Sequence, residues 1–121
     1  MKEKIPKELL KGSLKSIVLK LLAENDKMYG YEITQKVDEL TAGKIQLTYG
    51  ALYPILHKLE KEGNLSTESQ NVKNRIRIYY KLTPKGNGLA KEKIEELKDF
   101  IETIMILLQP KTSLQYVPAK S

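Results

Sequence analysis

A chain of 121 residues is about one domain, and 40% apolar residues suffice for one modest core. The absence of cysteine excludes a disulfide framework and a thiolate zinc site, and fits a reducing cytoplasm. A net charge of +6 and a pI of 9.4 point to a polyanionic partner: nucleic acid, an anionic membrane or an acidic protein.

The chain opens MKEKIPKELLKGSLKSIVLKLL, with lysines throughout. No apolar run approaches the ~20 residues of a membrane span, and the start lacks the continuous apolar block of a signal peptide. A cytoplasmic protein is expected. Periodicity predicts a first helix over residues 7–23, with Leu10, Leu14, Ile17, Val18 and Leu21 as its core stripe. Leu9 and Leu19 point elsewhere and predict a second apolar contact. Asn25, Asp26 and Lys27 read as a turn.

A second helix is predicted over residues 29–40, with Ile33, Val37 and Leu40 inward and Gly43 near its C′ position. Thr48 is a good N-cap for a third helix, which ends at Gly63. Residues 65–82 read as a β-hairpin. In RIRIYYKL, Ile76, Ile78, Tyr80 and Leu82 alternate with Arg75, Arg77, Tyr79 and Lys81, the pattern of a half-buried strand. Asn71 and Asn74 tolerate the left-handed backbone of a turn. Between Glu68 and Glu92 there is no acid, while Lys73, Arg75, Arg77, Lys81, Lys85 and Lys91 are basic.

Thr83 and Pro84, as N-cap and N1, open a fourth helix that runs to about Leu108. Ala90, Ile94, Leu97, Ile101, Ile104 and Leu108 form a heptad seam, broadened by Phe100, Met105 and Leu107. Gln109 and Pro110 end it, and the tail at 110–121 has no periodicity and is expected to be loosely held. The fold class is therefore mainly α with a small β-hairpin. Its order is that of a winged helix-turn-helix over residues 1–83, followed by a dimerisation helix over 84–109. In such modules the third helix enters the major groove and the wing reaches phosphates beside it.

The third helix, YGALYPILHKLEKEG, carries a glycine and a proline in its first turns. At about 100° per residue, Leu52, Ile55, Leu56 and Leu59 face one way, and Gly50, Pro54, His57 and Lys61 nearly the opposite. Pro54 cannot donate to the Gly50 carbonyl, and Gly50 lets another backbone come close. A helix start stripped of bulk, with free first-turn N–H groups, suits a DNA backbone. Tyr49 and Tyr53 flank this face, and Tyr31 points away from its own core stripe; their hydroxyls can bond phosphates or base edges. Tyr29 and Tyr80 fall on core sides. Lys73, Arg75 and Arg77 are the phosphate candidates of the wing, and Lys58 lies further along the third helix. Lys58 and Lys61 run beside Glu60 and Glu62, where surface ion pairs are expected to contribute little. His57, the single histidine, is a candidate base contact and can build neither a metal site nor a triad. No nucleotide-binding glycine loop or paired carboxylates occur, so neither an enzyme nor a cofactor is expected.

Taken together, YGYEI at 29–33, GALYPILHKLEKEG at 50–63 and YYKLT at 79–83 resemble the PadR family of bacterial transcriptional regulators. The resemblance spans residues 9–108, and with one helix after the wing the chain is similar to the short members. It implies a homodimer on double-stranded DNA with a pseudo-palindromic operator, usually a repressor, released by a small phenolic or lipophilic molecule. Two features depart from the family pattern. The wing tip is NVKN rather than Gly- and Arg-rich, and no Trp is present to stack a planar ligand. The seam residues Ile94, Leu97, Ile101, Ile104 and Leu108, with Leu9 and Leu19, are the dimerisation candidates. An effector would sit between the first helix and the paired fourth helices, against Leu97, Phe100 and Ile101. The rival readings are a winged-helix module that binds protein, which the basic wing argues against, and a nonspecific nucleic-acid binder.

Overall fold

The first apolar stretch does not form one helix. In the computed structural model, which describes residues 3–110, it divides into α1 (Lys7–Leu10) and α2 (Leu14–Glu24). Ser13 makes the break: its backbone N–H and its hydroxyl both donate to the Leu10 carbonyl, at 2.8 and 3.0 Å. The break shifts the helical phase and separates the two leucines expected to share an outer face. Leu9 is 74% exposed, whereas Leu19 is fully buried. α2 lies between α5 and the rest of the domain, so Ser16, Val18, Leu19, Leu21 and Leu22 are all buried and little of its circumference meets solvent.

Next come β1 (Met28–Tyr29), α3 (Gly30–Leu40) and α4 (Tyr49–Lys61), then β2 (Leu65–Val72), β3 (Arg75–Leu82) and α5 (Pro84–Leu108). β1 takes residue 29 out of the second predicted helix. It adds a third antiparallel strand in the order β1-β3-β2, pairing Met28 with Tyr80 and Tyr29 with Tyr79. The Tyr29 N–H donates to the Glu32 carboxylate, satisfying one of the free groups at the start of α3. Ile33 and Val37 face the core, but Leu40, expected inward, is largely exposed because α3 has reached the domain's edge by its last residue.

The Thr48 hydroxyl accepts the Ala51 N–H at 3.2 Å and starts α4. At the other end the Asn64 N–H reaches the Leu59 carbonyl and the Gly63 N–H the Glu60 carbonyl, at 2.8 and 3.0 Å. Gly63 is left-handed at φ 84°, which completes a Schellman motif. Thr83 ties three elements together there. Its hydroxyl donates to the Gly63 carbonyl and accepts the Gly86 N–H, while its own N–H donates to the Asn64 carbonyl. Gly86 is pressed onto this joint: a Cβ would lie 2.0 Å from the Asn64 carbonyl oxygen.

The hairpin turns at Lys73 and Asn74, with φ of 52° and 65°. These are the two central residues of a mirrored turn, whose twist matches that of the flanking strands. Asn71 is not part of the turn; it pairs with Ile76. The apolar face of β3 is also less buried than its alternation predicts. Tyr80 and Leu82 are in the core, but Ile76 is 72% exposed and Ile78 is exposed too, because the hairpin projects past the core and nothing in the chain covers its outer half. α5 has the predicted bounds and docks its first half on α2. Beyond residue 110 the expected tail lies outside the described residues. Among those described, no helix is long and apolar enough to cross a membrane.

Candidate nucleic-acid interface

The α4 face opposite the core is bare. Gly50, Pro54, His57, Lys58 and Lys61 are exposed, and Tyr49 is about half so. Gly50 is not demanded by the protein's own packing. A Cβ there would meet nothing closer than the Thr48 hydroxyl at 3.9 Å. Gly30 is the contrast: a Cβ would lie 2.6 Å from the Tyr53 hydroxyl, so that glycine exists to admit the Tyr53 ring. Tyr53 is thus half-buried and joins α4 to the start of α3, with ring centroids 5.4 Å from Tyr49 and 5.7 Å from His57. Tyr31 is exposed at the first turn of α3, 6.4 Å from Tyr29.

At the root of the wing the side chains hold one another. The Arg77 guanidinium lies 4.3 Å from the centroid of the Tyr29 ring, and Tyr29 meets Tyr79 edge-on at 5.3 Å. Hydrogen bonding to Tyr79 raises the Arg77 guanidinium above its ordinary value, so it stays charged. Lys27 sits 5.3 Å from the centroid of the Tyr79 ring and pairs with Glu68 at 2.5 Å. That bond, with a second from Gln70, holds the Glu68 carboxyl below its ordinary range, and the same pairing raises Lys27. Lys81 pairs with Asp26 at 3.3 Å.

These contacts change how the charge pattern reads. The stretch without acids is acid-free only along the chain, because the fold brings Asp26 against Lys81 at the wing's root. Lys73 and Arg75, at the tip, have no ion-pair partner among the described residues. Nor do Lys58 and Lys61, where pairs with Glu60 and Glu62 were expected; Glu60 instead accepts a hydrogen bond from Thr67. The structure therefore lines up Tyr49, Tyr53 and His57 along α4 behind Thr48 and Gly50, and brings Tyr53 against Gly30, the residue before Tyr31 on α3. It places Arg77 beside them through Tyr29, and leaves Lys73 and Arg75 at the far end of the hairpin. Sequence reasoning passed over Lys27, Tyr79 and Asp26 as partners at the root. A two-residue strand such as β1 carries no periodicity from which their pairing could be read.

On the other side of the molecule, α1 and α5 frame a groove of about 780 Å³ in which Leu9, Leu97, Phe100, Ile101 and Ile104 come together. Leu19 is not among them; it lies in the core. No group of His, Cys, Asp or Glu able to hold a metal ion occurs among the described residues.

A helix-turn-helix whose second helix presents an open face, followed by a charged wing, defines a winged-helix DNA-binding protein. The chain belongs to the transcriptional regulator PadR-like family, whose model matches residues 18–92. It is similar to transcriptional regulator Rv3488 of Mycobacterium tuberculosis, at 29% identity over 82% of this chain and 89% of the relative. The structure of a transcriptional regulator from Clostridium thermocellum is also similar, with a TM-score of 0.76 and 28% identity over 84% of this chain and 99% of that one. So is a PadR-like transcriptional regulator from Bacillus cereus, with a TM-score of 0.71 and 26% identity over 86% and 99%. The protein is a transcriptional regulator and not an enzyme.

Proposed function

We infer that this regulator is a homodimeric repressor that reads a pseudo-palindromic operator with α4 and grips the flanking phosphates with the wing. The observation that carries the reading is the outer face of α4. It is exposed from Gly50 to Lys61, and its glycine is one that the protein's own packing does not require. Thr48, Tyr49, Gly50, Tyr53, His57 and Lys58 supply contacts from α4, and Tyr31 joins from α3. Tyr53 packs against Gly30 and is only half-buried, so it can serve both the joint and the interface. Lys73 and Arg75 take phosphates as free charges, and Arg77 does so from a position held by Tyr29. DNA binding belongs to residues 1–83 and dimerisation to 84–109.

Two apolar surfaces support the dimer. Leu9 on α1 and Leu97, Ile101, Ile104 and Met105 on α5 line the α1–α5 groove, Ile94 joins Leu97 and Ile101 in a second groove against α2, and Leu108 is exposed at the end of α5. A two-fold pairing there would set the two α4 helices at half-sites about one DNA turn, ~34 Å, apart. A small lipophilic effector bound against Leu97, Phe100 and Ile101 would act where the two chains meet, and so alter the spacing of the two α4 helices.

The test is binding of the purified protein to its own promoter region and to shuffled DNA of equal length, across a salt series. Tight binding that prefers the promoter and weakens with salt is the expected result. Arg75→Ala should flatten the salt slope by about 0.9 for one lost phosphate. His57→Ala should instead change the preference between sequences. Equal binding to both DNAs would make the protein a nonspecific binder, and no binding at low salt would make it a protein-interaction module.

A further inference from the structure

The outer face of α4 has two flanks, and α1 borders the one away from the wing. By helical projection Tyr49 and Tyr53 lie to one side of the outer face of α4, toward α3 and the wing, while Ala51 and Lys58 lie to the other. On that second side α1 runs beside the start of α4. A groove of about 190 Å³ separates them; Lys7, Leu10 and, just past the end of α1, Lys11 line one wall, and Gln46, Leu47, Thr48 and Ala51 the other. Lys7 and Lys11 are four residues apart, so they project on the same side of the chain's first turn. The segment is seated: the Ile5 N–H donates to the Lys44 carbonyl at 2.7 Å, which ties the start of the chain to the loop that leads into α4. Lys44 itself is exposed beside that bond.

None of Lys7, Lys11 and Lys44 has an ion-pair partner among the described residues. The contrast with the wing's root, where Lys27 and Lys81 are both neutralised, is direct. Lys7 and Lys11 border the groove that holds the N-cap Thr48, and Lys44 is exposed in the loop that leads to it; unpaired lysines on this open flank have a polyanion as their natural partner.

We propose that Lys7, Lys11 and Lys44 form a second phosphate-binding strip, which holds the duplex backbone on the side of α4 opposite the wing. The strip rests on the DNA-binding reading above and adds a second grip to it. With the wing on one flank and α1 on the other, the backbone is held on both sides of the groove that α4 enters. Phosphate contacts position without selecting a sequence, so the strip strengthens binding to all DNA alike.

The experiment is the same salt series on promoter and shuffled DNA with the double variant K7Q/K11Q. The slope should fall by about 1.8, at about 0.9 per lost phosphate contact, and binding should weaken by the same factor on both DNAs. K7R/K11R should restore both. K91Q/K98Q removes the same charge from α5 and should leave the slope as it was. A K7Q/K11Q slope and affinity equal to those of the unaltered protein overturn the strip, as does an equal slope loss in K91Q/K98Q. A loss confined to the promoter also overturns it, since that is base reading. If the unaltered protein prefers its promoter while K7Q/K11Q changes nothing, the strip alone fails and the DNA-binding reading stands. If the unaltered protein binds no DNA, both fail. Unchanged thermal melting of the double variant excludes misfolding as the cause of a loss.

Discussion

The two halves of α5 carry one continuous apolar seam and meet opposite surroundings. In the first half Gly86 and Ala90 are buried against the Thr83 joint and α2, and Ile94 is half-covered. In the second half Ile101 is 50% exposed, and Met105, Ile106, Leu107 and Leu108 are more so. The wing repeats the contrast on a smaller scale, with Tyr80 buried at the root and Ile76 bare beyond it. A period in the sequence reports that a face is apolar. It does not report whether the chain's own core, or another molecule, covers that face.

The largest effect is expected at the covered end. Gly86→Ala would drive a methyl group onto the Asn64 carbonyl, a backbone atom that Thr83 also holds in place. The cost should be about 3 kcal/mol or more by chemical denaturation, at the upper end for an overpacked site. A cost under about 1 kcal/mol would mean the α4–wing–α5 joint yields, and the covered half is less tightly fixed than its contacts indicate.

Ile101→Asp tests the bare end and should do the reverse. In the single chain Ile101 is half-exposed, so monomer stability should change by no more than about 0.5 kcal/mol. The proposed dimer should dissociate, which sedimentation would register as a halved mass. An undiminished mass would move the interface elsewhere and leave the seam's second half without its assigned cover.

The smallest effect sharpens the contrast within the wing. Burial pushes the Tyr80 hydroxyl above its ordinary value of 10.0. The fold therefore favours the protonated phenol. That contribution is complete below the ordinary value and is lost as pH rises through the raised one. Tyr80→Phe should flatten the fall in melting temperature on the alkaline side. A fall equally steep in the Phe variant would assign it to other groups.

Much of the fold was legible because its signals are local. Thr48, Thr83, Pro84 and Gly63 are end signals whose chemistry acts within a few residues, and each sits in the structure where capping chemistry places it. Alternation in RIRIYYKL located β3, and the spacing from Ala90 to Leu108 located α5. The misreadings share a cause, which is that they depend on partners remote in the chain. Leu19 and Leu40 exchanged places because burial depends on what packs against each helix, and the turn at Ser13 reset the phase that periodicity carries forward. β1 is too short to have a period. The ion pairs of Lys27 and Lys81 unite residues 41 and 55 positions apart (68 − 27 and 81 − 26), which no pattern along the chain records. Within the candidate site the bare start of α4 was visible from Gly50 and Pro54, but the hold of Tyr29 on Arg77 was not.

The sequence by itself determined the succession of α3, α4, the hairpin and α5, the ends of α4 and α5, the apolar seam and the open face of α4. Each follows from propensities and periods that act over a turn or two of chain. Only the tertiary structure decided which leucines are core, which cations are already neutralised, and which half of α5 is left bare. Those outcomes depend on contacts between residues brought together by folding, where burial and pairing are properties of the neighbourhood and not of the residue.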